Sequence, residues 1–413
     1  MRTQLVNAPM DSITMNLEKM LFYSFNIFCF LPYVNLLRIP TDAQPNALIL
    51  AIIIFFIGIN RFTYPRVAFI ILFLMVPFYF LGTINEFKFD FSLFRSLLGY
   101  ISLFFITLIS YVSFKKGYTP SWNLFKYFVI LNVIISLLQL VLKINFFEFL
   151  FFRVGTSETR GATGLTPEPT FNATIAIFCA TIYLLNYYAK SRNFILLLIF
   201  FWIVILAQSS TIVLMVVPVL IIYFTLRNFK IFIIPVALIL ISFYFVFGNG
   251  EEKPENSRLV SILSVVATNP EKLVVLDESV NGRISNIIVP AYVSISALMM
   301  PHGSNMNFLN KSIPIVTRDV FPNLFYFENI AAGVERIMSG WSMIFYEVGL
   351  IGFVFFFYIL FVIFFRLDHF GVLFLGSIIF VVVVFTAVTI NTSIIPFIFG
   401  NIIYKVSEMR QIK

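Results

Sequence analysis

Two stretches of this chain set acids and bases where they could do chemistry. The first is Arg160-Gly-Ala-Thr-Gly-Leu-Thr-Pro-Glu-Pro-Thr170. Pro167 and Pro169 bracket Glu168, and a residue before proline is pushed into extended backbone. Glu168 is therefore expected in a stiff, non-helical stretch ahead of a helix that starts near Thr170. The result is a fixed carboxylate. The same residues also fit an ordinary capped turn at a lipid–water boundary. The second stretch spans 250–340 and carries Arg258, Arg283, Arg318 and Arg336. Arg283 opens Arg283-Ile-Ser-Asn-Ile-Ile-Val-Pro-Ala-Tyr, an amphipathic helix kinked at Pro290, with Asp277 and Ser279 just before it. A guanidinium offers planar paired donors and keeps its charge at any relevant pH, which suits a diphosphate. A solvent-facing position also fits Arg283, and Arg258, Arg318 and Arg336 in the same segment fit the diphosphate role as well.

Two further residues qualify. His302 lies between Pro301 and Gly303 and is one of 2 histidines in the chain. Its ordinary pKa near neutrality suits a general base, although no nearby carboxylate in the sequence orients it and a loop histidine is commonly just polar surface. Glu347 lies about two turns inside an apolar run that opens at Trp341, and is followed by Gly349 and Gly352. Acids at such depth face a protein interior or a water-filled cavity. Glu347 is thus a site candidate, or the structural partner of an arginine from the long loop. No Walker, HExxH, Cys/His or Asp-rich pattern occurs, so no metal or cofactor is expected.

The elements that must carry these residues are apolar. Of 413 residues, 60% are hydrophobic and 12% charged, with 54 Phe and a mean hydropathy of +0.96. This composition excludes a soluble core. Apolar runs long enough to cross about 30 Å of hydrocarbon recur along the chain. They fall near 20–37, 47–60, 67–82, 98–114, 127–142, 172–188, 194–207, 211–226, 231–248, 341–365, 370–388 and 391–404. The expected fold is all-α: a polytopic integral membrane protein, a single transmembrane domain over 1–413. It has about 12 transmembrane helices, an external loop at 143–171 and one large external loop at 250–340 between the ninth and tenth spans. Asn391, Thr392 and Pro396 interrupt the last run and leave a re-entrant alternative for it. Cys29 and Cys179 fall inside spans and are expected to be small buried apolar residues. The first apolar run lacks a small-residue cleavage site and is expected to stay as a span.

Basic residues resist export, so alternate loops can be compared. One set, with both termini, holds fifteen Lys and Arg against four acids, Asp11, Glu18, Asp368 and Glu408. The short loops of the other set carry only Arg38, Lys88 and Arg95. The net charge of +8 therefore reflects orientation rather than nucleic-acid binding. Both termini are expected in the cytoplasm, with both candidate stretches and the other sixteen of 20 acids, Glu347 included, on the external side.

The stretch from Arg160 to Phe171 resembles the arginine, glycine and Glu-Pro-Ser signature of the Wzy-type O-antigen polymerase family, with Thr170 in place of the usual serine. The order that follows is also similar over about residues 150–365. It runs through a polar Gln208-Ser-Ser-Thr211 break, a long external loop with Asp277, Ser279 and Arg283, and then Tyr346-Glu-Val-Gly-Leu-Ile-Gly352. Thr211 stands where the family often has an arginine, and Gly340-Trp-Ser-Met lacks the His-x-x-Asn context of the related O-antigen ligases.

The resemblance implies a metal-independent glycosyltransferase on the external face of a bacterial plasma (inner) membrane. It would join O-antigen or capsule-like repeat units, with undecaprenyl diphosphate-linked oligosaccharides as donor and acceptor. Arg160 and Arg283 would stabilise the diphosphate leaving group and Glu168 would act as base. Arg258, Arg318, Arg336, Glu347 and His302 are further candidates for holding substrate. The implied partners are these lipid-linked glycans, membrane lipid and a membrane protein that regulates chain length; no nucleic acid is expected. The alternatives are an O-antigen ligase, a structural scaffold for an export complex, and a lipid-linked oligosaccharide flippase. A flippase would show repeated halves and charges lining a central path.

Overall fold

The structure is a computed structural model that describes residues 12–37, 39, 41–58, 62–84, 91–143, 147–152, 161–188, 194–209, 215, 216, 219, 275, 278–320, 324, 337–367 and 371–412. Among these residues the regular structure is entirely helical. In chain order the helices are α1 (Ser12–Phe30), α2 (Asn46–Gly58), α3 (Arg66–Thr83), α4 (Phe91–Lys116), α5 (Trp122–Leu142), α6 (Pro169–Asn186) and α7 (Phe194–Phe201). A π-helical turn at Trp202–Leu206 extends α7. After these come α8 (Glu278–Ser296), α9 (Met306–Asp319), α10 (Gly340–Val348), α11 (Leu350–Arg366), α12 (Val372–Ile379) and α13 (Ile394–Ile412). α12 runs through a second π-helical stretch, Phe380–Val384, into Phe385–Ala387.

Four segments are long and apolar enough to cross a membrane: Arg66–Thr83, Leu93–Lys116, Trp122–Leu142 and Pro169–Asn186. Asn46–Gly58, Phe194–Leu206, Leu350–Arg366 and Val372–Ala387 are shorter apolar helices. Helices suit this composition because in lipid only intrahelical bonding satisfies the backbone, which makes the poor aqueous helix propensity of Phe, Ile and Val unimportant. The protein is accordingly a membrane protein.

α6 and the first half of α13 form the centre. α6 is buried on nearly every face, and Ile394, Ile395, Phe397 and Ile398 are wholly enclosed. Edge-on aromatic contacts knit this centre together: Phe30 meets Phe178 with ring centroids 4.8 Å apart and Phe397 at 5.9 Å. Cys29 and Cys179 are buried apolar groups here, as their positions in the sequence imply. α13 runs parallel to α4. Asn391 meets Gly99, Gly400 lies against Thr107 and Ser110, and Tyr404 stacks on Phe114.

This arrangement separates two ends. At one, Lys116 pairs with Glu18, Lys115 bonds Thr63, and Asn26 donates to Ser113 Oγ at 3.1 Å and to the Tyr118 carbonyl at 2.7 Å. At the other, Asn35 N–H donates to the Leu150 carbonyl at 2.7 Å, and Phe171 in the first turn of α6 stacks on Tyr33 in the segment after α1.

Several boundaries differ from the sequence expectation. The run at 341–365 is two helices, because Gly349 adopts φ 57° and ψ −129°, which ends α10 and turns the chain back along it. Phe345 then stacks on Phe353 at 4.2 Å and Trp341 meets Phe356 at 4.6 Å. The last run is a full helix rather than an interrupted one. The break falls at 388–393, ahead of it, and Pro396 sits in the first turn, where a missing N–H costs no helical bond. The runs at 211–226 and 231–248 and the stretch 258–268 lie outside the described residues, apart from positions 215, 216 and 219.

Candidate functional site

The loop 161–168 is built into the helices rather than laid on them. Ala162, Thr163, Thr166 and Pro167 are buried. The loop is held from three sides. From α5, Gln139 accepts from Gly164 N–H at 2.6 Å and donates back to the Gly164 carbonyl at 3.1 Å. From α6, Asn172 Nδ2 donates to the Ala162 carbonyl at 2.8 Å and to Ser136 Oγ at 3.1 Å, while Trp202 Nε1 donates to Asn172 Oδ1 at 3.0 Å. From α7, the π-helical turn leaves the Leu206 carbonyl outside the helical ladder, and Ala162 N–H donates to it at 2.8 Å. The glycine of the motif has a physical reason: Gly164 has φ 60°, and a Cβ there would run into the Asn172 side chain.

Glu168 is the N-cap residue of α6 with extended backbone, φ −146° and ψ 152°, and Pro169 is the first helical residue. The expectation of a stiff, non-helical placement ahead of a helix is met, one residue earlier than Thr170. The Glu168 side chain makes no cap bond; its carbonyl accepts from Asn172 N–H at 3.1 Å and from Thr166 Oγ1 at 2.8 Å. The half-buried carboxylate lies near Tyr33, which is packed flat on Phe171 at 4.8 Å and also feels the charge of Asp42. The Tyr33 hydroxyl is buried without a hydrogen-bond partner. Glu168, Asp42 and Tyr33 thus gather at one mouth of the bundle, and the sequence pointed only to the first. Asp42 and Tyr33 were hidden in a short loop with no motif of its own.

A second polar centre forms around Glu347. Its side chain is 1% exposed, and Ser96 Oγ donates to Oε1 at 3.1 Å. Arg95 acts on it electrostatically. The buried Tyr100 hydroxyl lies close by, yet neither it nor Oε2 makes a hydrogen bond of ordinary geometry. Among the described residues Arg95, at the start of α4, supplies positive charge that acts on Glu347, while Arg258 and Arg336 of the long loop lie outside them. An acid within an apolar run needs a partner, and Arg95, at the head of another such run, was the available signal.

His302 lies on the same junction. The end of α10 is capped by a loop: His302 N–H donates to the Tyr346 carbonyl at 3.1 Å, Gly303 N–H to the Glu347 carbonyl at 2.9 Å, and Leu350 N–H to the Met299 carbonyl at 2.8 Å. The imidazole is sandwiched between Phe308 at 4.4 Å and Tyr346 at 4.9 Å, and its Nε2 is buried without a partner. Burial holds its pKa below the usual histidine range, so the ring is neutral near pH 7.

The structure brings His302 and Glu347 onto one junction and sets Glu168 at the mouth of another loop. Arg283 lies half-buried on α8, which packs beside α10: Ser294 Oγ donates to the Phe345 carbonyl at 2.6 Å, and Ser342 donates to the Ile287 carbonyl. Arg318 is exposed and engages the adjacent Asp319 at 2.7 and 3.1 Å; this contact raises the guanidinium pKa and lowers that of the carboxylate. Arg160, Arg258 and Arg336 lie outside the described residues, as does Asp277. Among the described residues no three His, Cys, Asp or Glu side chains converge as metal ligands. Comparison with protein-family models, curated proteins and solved structures finds no match for this chain.

Proposed function

We propose that this chain polymerises polysaccharide repeat units carried on undecaprenyl diphosphate. It would cross the bilayer about twelve times with both termini in the cytoplasm and act on the external face. In the reaction the bond from the anomeric carbon to the donor diphosphate breaks and a bond from an acceptor hydroxyl oxygen to that carbon forms. The hydroxyl proton passes to a carboxylate, and undecaprenyl diphosphate leaves. The observation that carries this reading is the placement of Glu168: a half-buried acid in extended backbone, at the head of α6, on a loop locked into three helices. Such rigidity is what a general base needs, since its geometry must be set before its acidity matters. Arg160 and Arg283 are assigned the diphosphate, where fixed positive charge stabilises the leaving group and is worth several kcal/mol in enzymes generally.

The test is incubation of purified protein in proteoliposomes with lipid-linked repeat units and no nucleotide sugar. A ladder of lengths is expected. Arg160→Ala and Arg283→Ala should leave the protein inserted but yield single units only; normal polymer from both variants sinks the assignment. A second reading, a flippase for the same lipid-linked glycans, is favoured by one observation. The chain is broken at Gly349 and at 388–393, and the buried Glu347 lies beside the first break; discontinuous helices with an internal acid are a transporter device. Movement of the lipid-linked unit across the bilayer without ladder formation would select it.

A further inference from the structure

Helix α9 contributes nothing to the Glu168 mouth, yet its two faces are distinct. Leu309, Ile313 and Val316 point inward and are buried. Phe308, Lys311, Ile315 and Arg318, spaced three and four apart, form one outward stripe. Ile315 is 60% exposed. Apolar and basic residues interleaved on one face suit neither water nor a hydrocarbon interior. They suit the boundary between them, where ring and aliphatic stem enter the acyl region and the cation reaches up to lipid phosphate.

The position of α9 agrees. The loop that leads into it seats Gly303 against Gly82 and Thr83, in the last turn of α3, a helix long and apolar enough to cross a membrane. At that end of α3, Leu81 and Ile84 are 55% and 64% exposed, and in the loop Leu298 and Met300 are 84% and 61% exposed. The exposed apolar surface of α3 therefore continues through 298–300 toward α9, and α9 starts three residues after Gly303, which meets Gly82. It begins beside the C-terminal end of that apolar helix. With 14 residues it is about 21 Å long and contains Lys311, Arg318 and Asp319, too short and too charged to cross.

We propose that α9 lies in the headgroup layer of the leaflet at the C-terminal end of α3. Phe308 and Ile315 sit at the acyl boundary and Lys311 lies against lipid phosphate. Arg318 is already paired with Asp319 and adds little net charge to the face. The arrangement ties the depth of the 297–305 loop, and of the His302 and Glu347 junction it caps, to the membrane surface. It holds whichever reaction the protein performs.

The test uses the full chain with Cys29→Ala and Cys179→Ala, so that one new cysteine, Ile315→Cys or Lys311→Cys, carries an environment-sensitive fluorophore. Proteoliposomes contain phosphatidylethanolamine and phosphatidylglycerol, with nitroxide placed at the headgroup, high on the acyl chain or deep in it; iodide is the aqueous quencher. The label at 315 should emit at shorter wavelength and be quenched most by the shallow acyl nitroxide, and the label at 311 by the headgroup nitroxide. Adding Ile315→Asp to the Lys311→Cys chain should shift quenching from nitroxide to iodide. Water-like emission with iodide quenching at both sites overturns the proposal, as does protection from every quencher, which would mean that a partner protein or a second copy covers the face.

Discussion

Asn172 holds the motif loop through three different neighbours, and its chemistry makes it hard to replace. Its Nδ2 serves Ala162 and Ser136 while Oδ1 takes the Trp202 indole N–H, so Asn172→Ala leaves a buried indole donor unmatched. The expected loss is about 1–3 kcal/mol, read as a lowered Tm in detergent, with Trp202→Phe on the same background restoring part of it. An unchanged Tm in Asn172→Ala would mean that the loop is held elsewhere. Gly164→Ala should cost more than about 1 kcal/mol, because it combines a left-handed backbone with a clash against Asn172. His302 makes a pH prediction. Its folded pKa lies below the ordinary histidine value of about 6.5, so the unfolded chain binds the proton more readily and stability is lost as pH falls below about 6.5. Between about pH 7 and pH 5 the Tm should drop more in the wild type than in His302→Phe, which keeps the stack on Phe308 and Tyr346 without the titration.

At the scale of elements, the sequence was most legible where apolar runs are long and uninterrupted. The expected 67–82 is α3 at Arg66–Thr83, and 127–142 is α5 at Trp122–Leu142. Proline at the head of α6 marked its start to within a residue because the extended residue before proline excludes an earlier helical turn. The broken run at 341–365 was not legible. Gly349 and Gly352 suggest close helix approach, but a reversal at Gly349 depends on what fills the turn, and the filler is the Met299–Gly303 segment, far away in sequence. The π-helical turn at Trp202–Leu206 escaped for a similar reason, since its use lies in the carbonyl it presents to Ala162. Gly349→Ala tests the junction: a Cβ there meets the Met299 carbonyl and the backbone takes a positive φ, so the variant should lose more than about 1 kcal/mol of stability. If the variant unfolds at the wild-type temperature, the reversal at 349 is not held by that contact.

For the whole molecule the decisive quantity is direction, because a polymerase of exported lipid-linked units needs Glu168 on the outside. The two ends of the bundle are chemically unlike. One gathers Glu18, Lys115, Lys116 and Lys405, and the other presents the 147–152 segment and the Glu168 mouth. Basic residues next to spans favour the cytoplasmic side, and the proposed orientation accordingly puts the first end inside and the second outside. Two exposed positions read this directly, one at each end: Lys115 at the close of α4 and Glu148 in the turn after α5. In a chain with Cys29→Ala and Cys179→Ala, Glu148→Cys should react with a membrane-impermeant maleimide at the periplasmic or outer face of intact cells, and Lys115→Cys only after the membrane is opened. The reverse pattern would carry Glu168 into the cytoplasm, away from exported glycans, and the polymerase reading would fall even though every contact in the fold stayed as it is.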